Sequence, residues 1–108
     1  MKKNKFSKNW VIKQKRDIYV KQSKIEGYRS RAAYKLKEIN QKFKILRNGT
    51  NIVDLGAAPG SWSQFISRNF KNLKVVSIDL KEMEKIDSIY QIKGDFTDEI
   101  HQKKIIDY

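Results

Sequence analysis

The 108 residues suffice for one small domain with a modest core, and fall short of what a doubly wound α/β sheet ordinarily takes. With no cysteine and a single histidine, His101, the chain excludes disulfides and thiolate metal sites, and no metal is expected. Its net charge of +12 is lopsided: residues 1–50 hold 16 Lys+Arg against 3 Asp+Glu (net +13), residues 51–108 hold 8 against 9 (net −1).

A basic front joined to a near-neutral body suits a nucleic-acid footprint beside a separate ligand site. A lysine-rich solubilising tail is the plain alternative. Membrane lipid fits poorly, since the basic stretch shows no clean apolar face. No apolar run approaches a membrane span, and nothing after the lysine-rich start could serve as a signal peptide. A soluble cytoplasmic protein, monomeric, is therefore expected.

Met1 to Lys8 is expected to be mobile, being basic and almost without apolar residues. From Trp10 to Ile25 the pattern suggests a helix, interrupted or bent, that stops at Gly27. Trp10 and Tyr19 are expected to pack this segment against the body, although aromatics among lysines can also stack on bases. Residues 1–28 thus read as a basic segment, helical in part, ahead of a second unit over 29–108.

Ser30 is a suitable N-cap for a helix near Arg31 to Phe43, with Ala32, Leu36, Ile39 and Phe43 as its buried stripe. Lys35 borders that stripe, where an ammonium can be partly desolvated and aimed, or can simply snorkel along the core. Arg47 to Thr50 turn into the next element.

Asn51 to Gln64 is the stretch on which the rest depends. Ile52, Val53 and Leu55 read as a strand buried on both faces. Gly56 breaks the run, Pro59 and Gly60 prevent its continuation, and Trp62, Phe65, Ile66 and Phe70 follow at helical spacing with Ser61 as N-cap. Strand, glycine turn, helix is the nucleotide-binding half of an open α/β sheet. A dinucleotide site usually reads G-x-G-x-x-G, and here the middle glycine is missing. With acidic Asp54 beside the turn, a cationic ligand without phosphate is favoured, and S-adenosylmethionine has both properties.

Lys74 to Ile78 is the second strand, ending at Asp79, 23 residues beyond Gly56. An acid at about that spacing accepts hydrogen bonds from ribose hydroxyls. Lys81 to Ser88 is polar, a loop or short helix. Ile89 to Ile92 is a third strand, and Asp95 just past it is either a turn aspartate or an acceptor for an adenine amino group, the second being favoured beside Asp79. Asp98 to Tyr108 could begin another helix.

Two motifs carry a family resemblance. Asp54-Leu55-Gly56-Ala57-Ala58-Pro59-Gly60-Ser61-Trp62-Ser63 resembles motif I of the FtsJ-type ribosomal RNA 2′-O-methyltransferases. Ser30-Arg31-Ala32-Ala33-Tyr34-Lys35-Leu36 is similar to that family's Ser-Arg-Ala-x-x-Lys-Leu segment. The resemblance runs from about Trp10 to Asp98 and implies a Rossmann-like, S-adenosylmethionine-dependent methyltransferase fold with helices on both faces of a parallel sheet. It implies methylation of a uridine ribose 2′-hydroxyl in large-subunit ribosomal RNA. Lys35 matches the first lysine of the family's Lys-Asp-Lys-Glu catalytic tetrad. Gly60 and Trp62 match cofactor contacts, Asp79 the ribose acid and Asp95 the adenine-site acid. Arg29 and Arg31 match basic residues facing RNA.

By the resemblance, the remaining tetrad members are expected on later strands, beyond Tyr108. The expectation is an incomplete sheet with an uncovered edge and little turnover from these residues alone. A rival reading is an RNA-binding protein with a methyltransferase-like fold and no catalysis. An NAD-dependent oxidoreductase fits less well, for want of the middle glycine.

Overall fold

The structure, a computed structural model, describes residues 5–108. In chain order these form α1 (Lys5–Glu26), α2 (Ala32–Phe43), β1 (Asn51–Leu55), α3 (Ser61–Asn69), β2 (Lys74–Asp79), β3 (Tyr90–Lys93) and α4 (Glu99–Asp107).

Helix α1 runs unbroken through 22 residues, with neither glycine nor proline inside it to bend it. It includes residues 5–8, which the sequence suggested would be mobile; residues 1–4 lie outside the described part. Gly27 ends the helix at φ +77°. Arg68 of α3 reaches back to donate to the Glu26 and Gly27 carbonyls at 2.8 and 3.0 Å, satisfying acceptors that a helix end leaves open. Tyr19 packs as expected, stacking on Tyr34 at 5.2 Å and donating its hydroxyl to Glu38. Trp10 does not: it is 58% exposed, because α1 projects beyond the body at its N-terminal half.

Helix α2 starts at Ala32, and Ser30 Oγ accepts from the Ala32 N–H at 3.2 Å. Its buried residues are Ala33, Tyr34 and Leu36, while Ala32 and Ile39 are half-buried and Phe43 is exposed. The expected stripe is therefore rotated. Tyr34 sits between Tyr19 of α1 and Tyr28 of the connector, so α2 is covered on two sides rather than one.

The three strands are parallel in the order β1-β2-β3, with Ile52 beside Val75, Val53 beside Val76 and Ile78 beside Ile92. Residues alternate between faces along each strand. On one face Val75 joins Ala33, Leu36, Leu46, Phe65 and Ile66 in the main core, with Ile52 packed against it. On the other face Val76, Ile78 and Ile92 pack under Ile105 of α4. Burial of each such Ile, Leu or Phe side chain is worth roughly 1.5–3 kcal/mol, so these two clusters hold the layers together. The expected parallel sheet with helices on both faces is present.

Strand β1 departs from expectation. Val53 and Leu55 are 43% and 53% exposed, because the α4 cluster covers β2 and β3 and does not extend to β1. Among the described residues β1 is also an edge strand. The third strand begins at Tyr90, one residue later than expected, and residues 80–89 form a loop without a helix.

Candidate functional site

Asp54 points to the α3 side of β1 and is buried. It belongs to the strand rather than to the turn that follows. Ser63 of α3 donates to Asp54 Oδ2 at 2.7 Å and shares a short hydrogen bond with Ser77 of β2, a small polar chain inside an apolar layer. Burial pushes the Asp54 carboxyl above its ordinary value, with the Ser63 bonds working against the shift.

After Leu55 the chain turns through Gly56 to Pro59 and reaches Gly60 at φ +107°. Gly60, not Ser61, occupies the cap position of α3, in a left-handed conformation that a serine disfavours. Ser61 is the first helical residue, and its hydroxyl donates to the Ser30 carbonyl at 2.8 Å. Trp62 Nε1 donates to the Ala32 carbonyl, also at 2.8 Å. These two bonds tie the start of α3 to the start of α2, which brings Arg31 and Lys35 beside the glycine turn.

The result is a cleft of about 430 Å³ whose walls include Arg31, Lys35, Asp54, Gly56, Pro59 and Trp62. That volume is within the range of small-molecule sites. Lys35 is exposed at this cleft, not partly desolvated as its predicted place on α2 implied, because the buried stripe follows Ala33 and Leu36.

Asp79 ends β2 and reaches across to the turn. Its Oδ2 accepts from the Ala58 N–H at 2.9 Å and its Oδ1 from the Lys81 N–H at 2.7 Å. These bonds hold its carboxyl below the usual carboxylate range. Each oxygen keeps a further lone pair for another donor.

Three candidate residues have internal tasks. Gly60 has φ +107°, which strains any other residue, and a Cβ there would also come within 2.8 Å of Arg29 Nη1 and 2.9 Å of Ile86 Cδ1, so glycine answers to the protein's own backbone first and its packing second. Asp95 is exposed and closes a turn by accepting from both the N–H and the hydroxyl of Thr97, which lowers its pKa. Like Gly60 and Asp79, it is not among the residues that line the cleft. Arg29 points its guanidinium at three backbone carbonyls of the protein.

Sequence reasoning missed Ser63, Gln64 and Arg68. Gln64 accepts from the Arg29 N–H at 2.9 Å and donates to the Gly27 carbonyl at 3.1 Å. Ser63 left a signal: a polar residue two before Phe65 on a helix whose neighbours are buried. The others left none, since their partners are backbone atoms. Among the described residues no group of three or more His, Cys, Asp or Glu could hold a metal, and no helix is long and apolar enough to cross a membrane.

A family model described as FtsJ-like methyltransferase matches residues 28–108. The chain is 65% identical over 105 residues to Ribosomal RNA large subunit methyltransferase E of Pelagibacter ubique, covering 97% of this chain and 52% of that protein. It is 44% identical over 108 residues to the protein of the same name from Pseudomonas fluorescens, covering 99% and 52%. A crystal structure of a Plasmodium falciparum protein assigned as a ribosomal RNA methyltransferase superimposes with a TM-score of 0.61 at 38% identity, over 73% of this chain and 49% of that one. The chain spans about half the length of the curated relatives it matches.

Proposed function

This chain belongs to the FtsJ-like methyltransferase family, and from that premise we propose that its cleft binds S-adenosylmethionine for methylation of a uridine ribose 2′-hydroxyl in large-subunit ribosomal RNA. The observation that carries the reading is the shared wall: Lys35 and Arg31, from the basic front, face the same space as the glycine turn and buried Asp54. At the turn itself the charged side chain is Asp54, which opposes a pyrophosphate there and suits a phosphate-free cation, whereas Arg31 and Lys35 stand on the α2 side of the cleft.

The residues suit the cofactor in shape as well. Gly56, Ala57 and Ala58 are small, and a Cβ added at Gly56 would meet nothing within 4 Å, which leaves room against the backbone. Bound there, S-adenosylmethionine supplies an electrophilic methyl group on a sulfonium. Asp54 provides the opposing charge. Asp79 accepts from the ribose hydroxyls through the lone pairs that Ala58 and Lys81 do not use. Trp62 borders the ligand, fixed by its bond to Ala32. Asp95, engaged in its Thr97 turn, is assigned no contact.

On the RNA side, Lys35 orients the incoming 2′-hydroxyl and stabilises negative charge as it develops on that oxygen. Arg31, exposed at the rim, holds a phosphate and fixes the register of the strand. Alignment of the two reactants contributes much of the rate. The test is labelled-methyl transfer to large-subunit ribosomal RNA by a protein of the relatives' length that carries this chain, followed by digestion to nucleosides. Label in 2′-O-methyluridine, largely lost in Lys35→Ala, is expected. Label on a base, or full activity in Lys35→Ala, contradicts the reading.

A further inference from the structure

Arg29 does not line the cleft, yet its guanidinium holds three carbonyls at once. Nη1 donates to Pro59 O and to Glu84 O, both at 2.9 Å, and Nη2 donates to Lys85 O at 3.2 Å. Its backbone N–H is held by Gln64 of α3. One residue therefore joins three separate pieces: the connector between α1 and α2, the glycine turn, and the loop that follows Asp79. The planar fork of a guanidinium presents donors in several fixed directions, which a single ammonium on a flexible stem does not reproduce.

The loop depends on few other anchors. Gln91 of β3 donates to the Glu84 carbonyl and accepts from the Ile86 N–H, both at 2.9 Å. The guanidinium lies close against the turn, where a Cβ on Gly60 would come within 2.8 Å of Nη1, and its other side borders an open cleft with Glu82, Met83 and Glu84. Three of its five N–H donors are thus engaged by the protein's own carbonyls, two residues from exposed Arg31.

We propose that Arg29 is a positioning residue that locks the Glu82–Lys85 loop onto the glycine turn, and so shapes the S-adenosylmethionine site, rather than a contact for RNA. The identity of the ligand rests on the proposed function; the clamp does not. Arg29→Lys separates the two roles, since it keeps the charge that attracts phosphate and loses the fork.

Amide hydrogen exchange of the whole chain reads the clamp without any ligand. In Arg29→Lys the Ile86 amide, whose N–H is held by Gln91 within the clamped loop, is expected to exchange about tenfold faster, the scale of one charge-assisted hydrogen bond, while β2 is unchanged. Calorimetric titration with S-adenosylmethionine is expected to weaken by about tenfold in the same variant. RNA affinity, measured by fluorescence anisotropy against a salt series, keeps its slope. Should Arg29→Lys lose β2 protection as well, Arg29→Gln, which retains an uncharged donor, is read by the same exchange pattern.

Unchanged exchange at the Ile86 amide overturns the proposal. So does a salt slope reduced by about one with cofactor affinity intact, which would make Arg29 a phosphate contact. A parent chain that binds no S-adenosylmethionine would count against the proposed function alone, and the exchange result would still decide the clamp.

Discussion

The carboxylate of Asp79 accepts a 2.9 Å hydrogen bond from the Ala58 N–H, so the end of β2 holds the turn that leaves β1. With its second oxygen on the Lys81 N–H, Asp79 holds both the glycine turn and the start of the loop that follows β2. Asp79→Ala removes both acceptors and is expected to cost about 1–3 kcal/mol in urea unfolding, with Asp79→Asn costing less because one oxygen remains. No loss in Asp79→Ala would mean that the turn holds itself.

Gly60→Ala meets two obstacles, a backbone at φ +107° and neighbours within 3 Å of the new Cβ. A loss of about 1–3 kcal/mol is expected from the backbone alone, with the clash adding to it. Gly49→Ala is the control. Its φ is +82°, but nothing lies within 4 Å, so only the backbone cost applies. Equal losses for the two variants in denaturant titrations would show that the contact with Arg29 and Ile86 is soft.

The two acids beside the turn respond to pH in opposite directions. Asp79, lowered from 3.8, contributes stability above that value, and the contribution is lost as pH falls through its folded pKa. Asp54, raised from 3.8, contributes below that value and loses its contribution as pH rises through its folded pKa. Asp54→Asn keeps an acceptor for Ser63 and discards the buried charge. Its stability relative to the parent, followed by unfolding midpoints, is expected to rise as pH increases above 3.8 and to level off once Asp54 of the parent is ionised in the folded state. A flat difference would show that Asp54 ionises without cost. The same variant should bind S-adenosylmethionine more weakly.

Tyr34 is buried with its hydroxyl oxygen lacking a hydrogen-bond partner among the described residues. Burial, and then the nearby Glu26 carboxylate, which is too poorly placed for a hydrogen bond, push the phenol up to about 12. Tyr34→Phe keeps the ring stack with Tyr19 and removes the unpaired group. Thermal unfolding is expected to show a neutral to slightly higher stability, since an unpaired buried polar group costs about 1–3 kcal/mol. A clear loss would reveal a partner for the hydroxyl.

The alternation of strand, glycine turn and helix from Asn51 to Asp79 was legible because short apolar runs there are bounded by Gly56 and Gly60, which leave few other arrangements. Lys35 and Trp62 were legible as neighbours of that turn through their motifs, and both line the cleft. What covers each face was not. Val53 and Leu55 have the composition of a strand buried on both sides, yet burial depends on a second layer that their own residues do not encode. The stripe of α2 was misread for the same reason, since Tyr34 is covered by Tyr19 from a distant helix. The carbonyl partners of Arg29 were not legible either. A guanidinium bound to carbonyls and one bound to phosphates come from the same letter in a basic stretch, and only its direction separates them.

The site is tested most directly by titrating the ¹⁵N-labelled chain with S-adenosylmethionine and following its amide and indole resonances. Saturable shifts are predicted for Gly56 to Trp62 and for the Trp62 indole N–H, with Asp79 and Lys81 moving in step. Resonances that stay fixed at those positions, or that move only at the Tyr90–Tyr108 surface, would contradict the account.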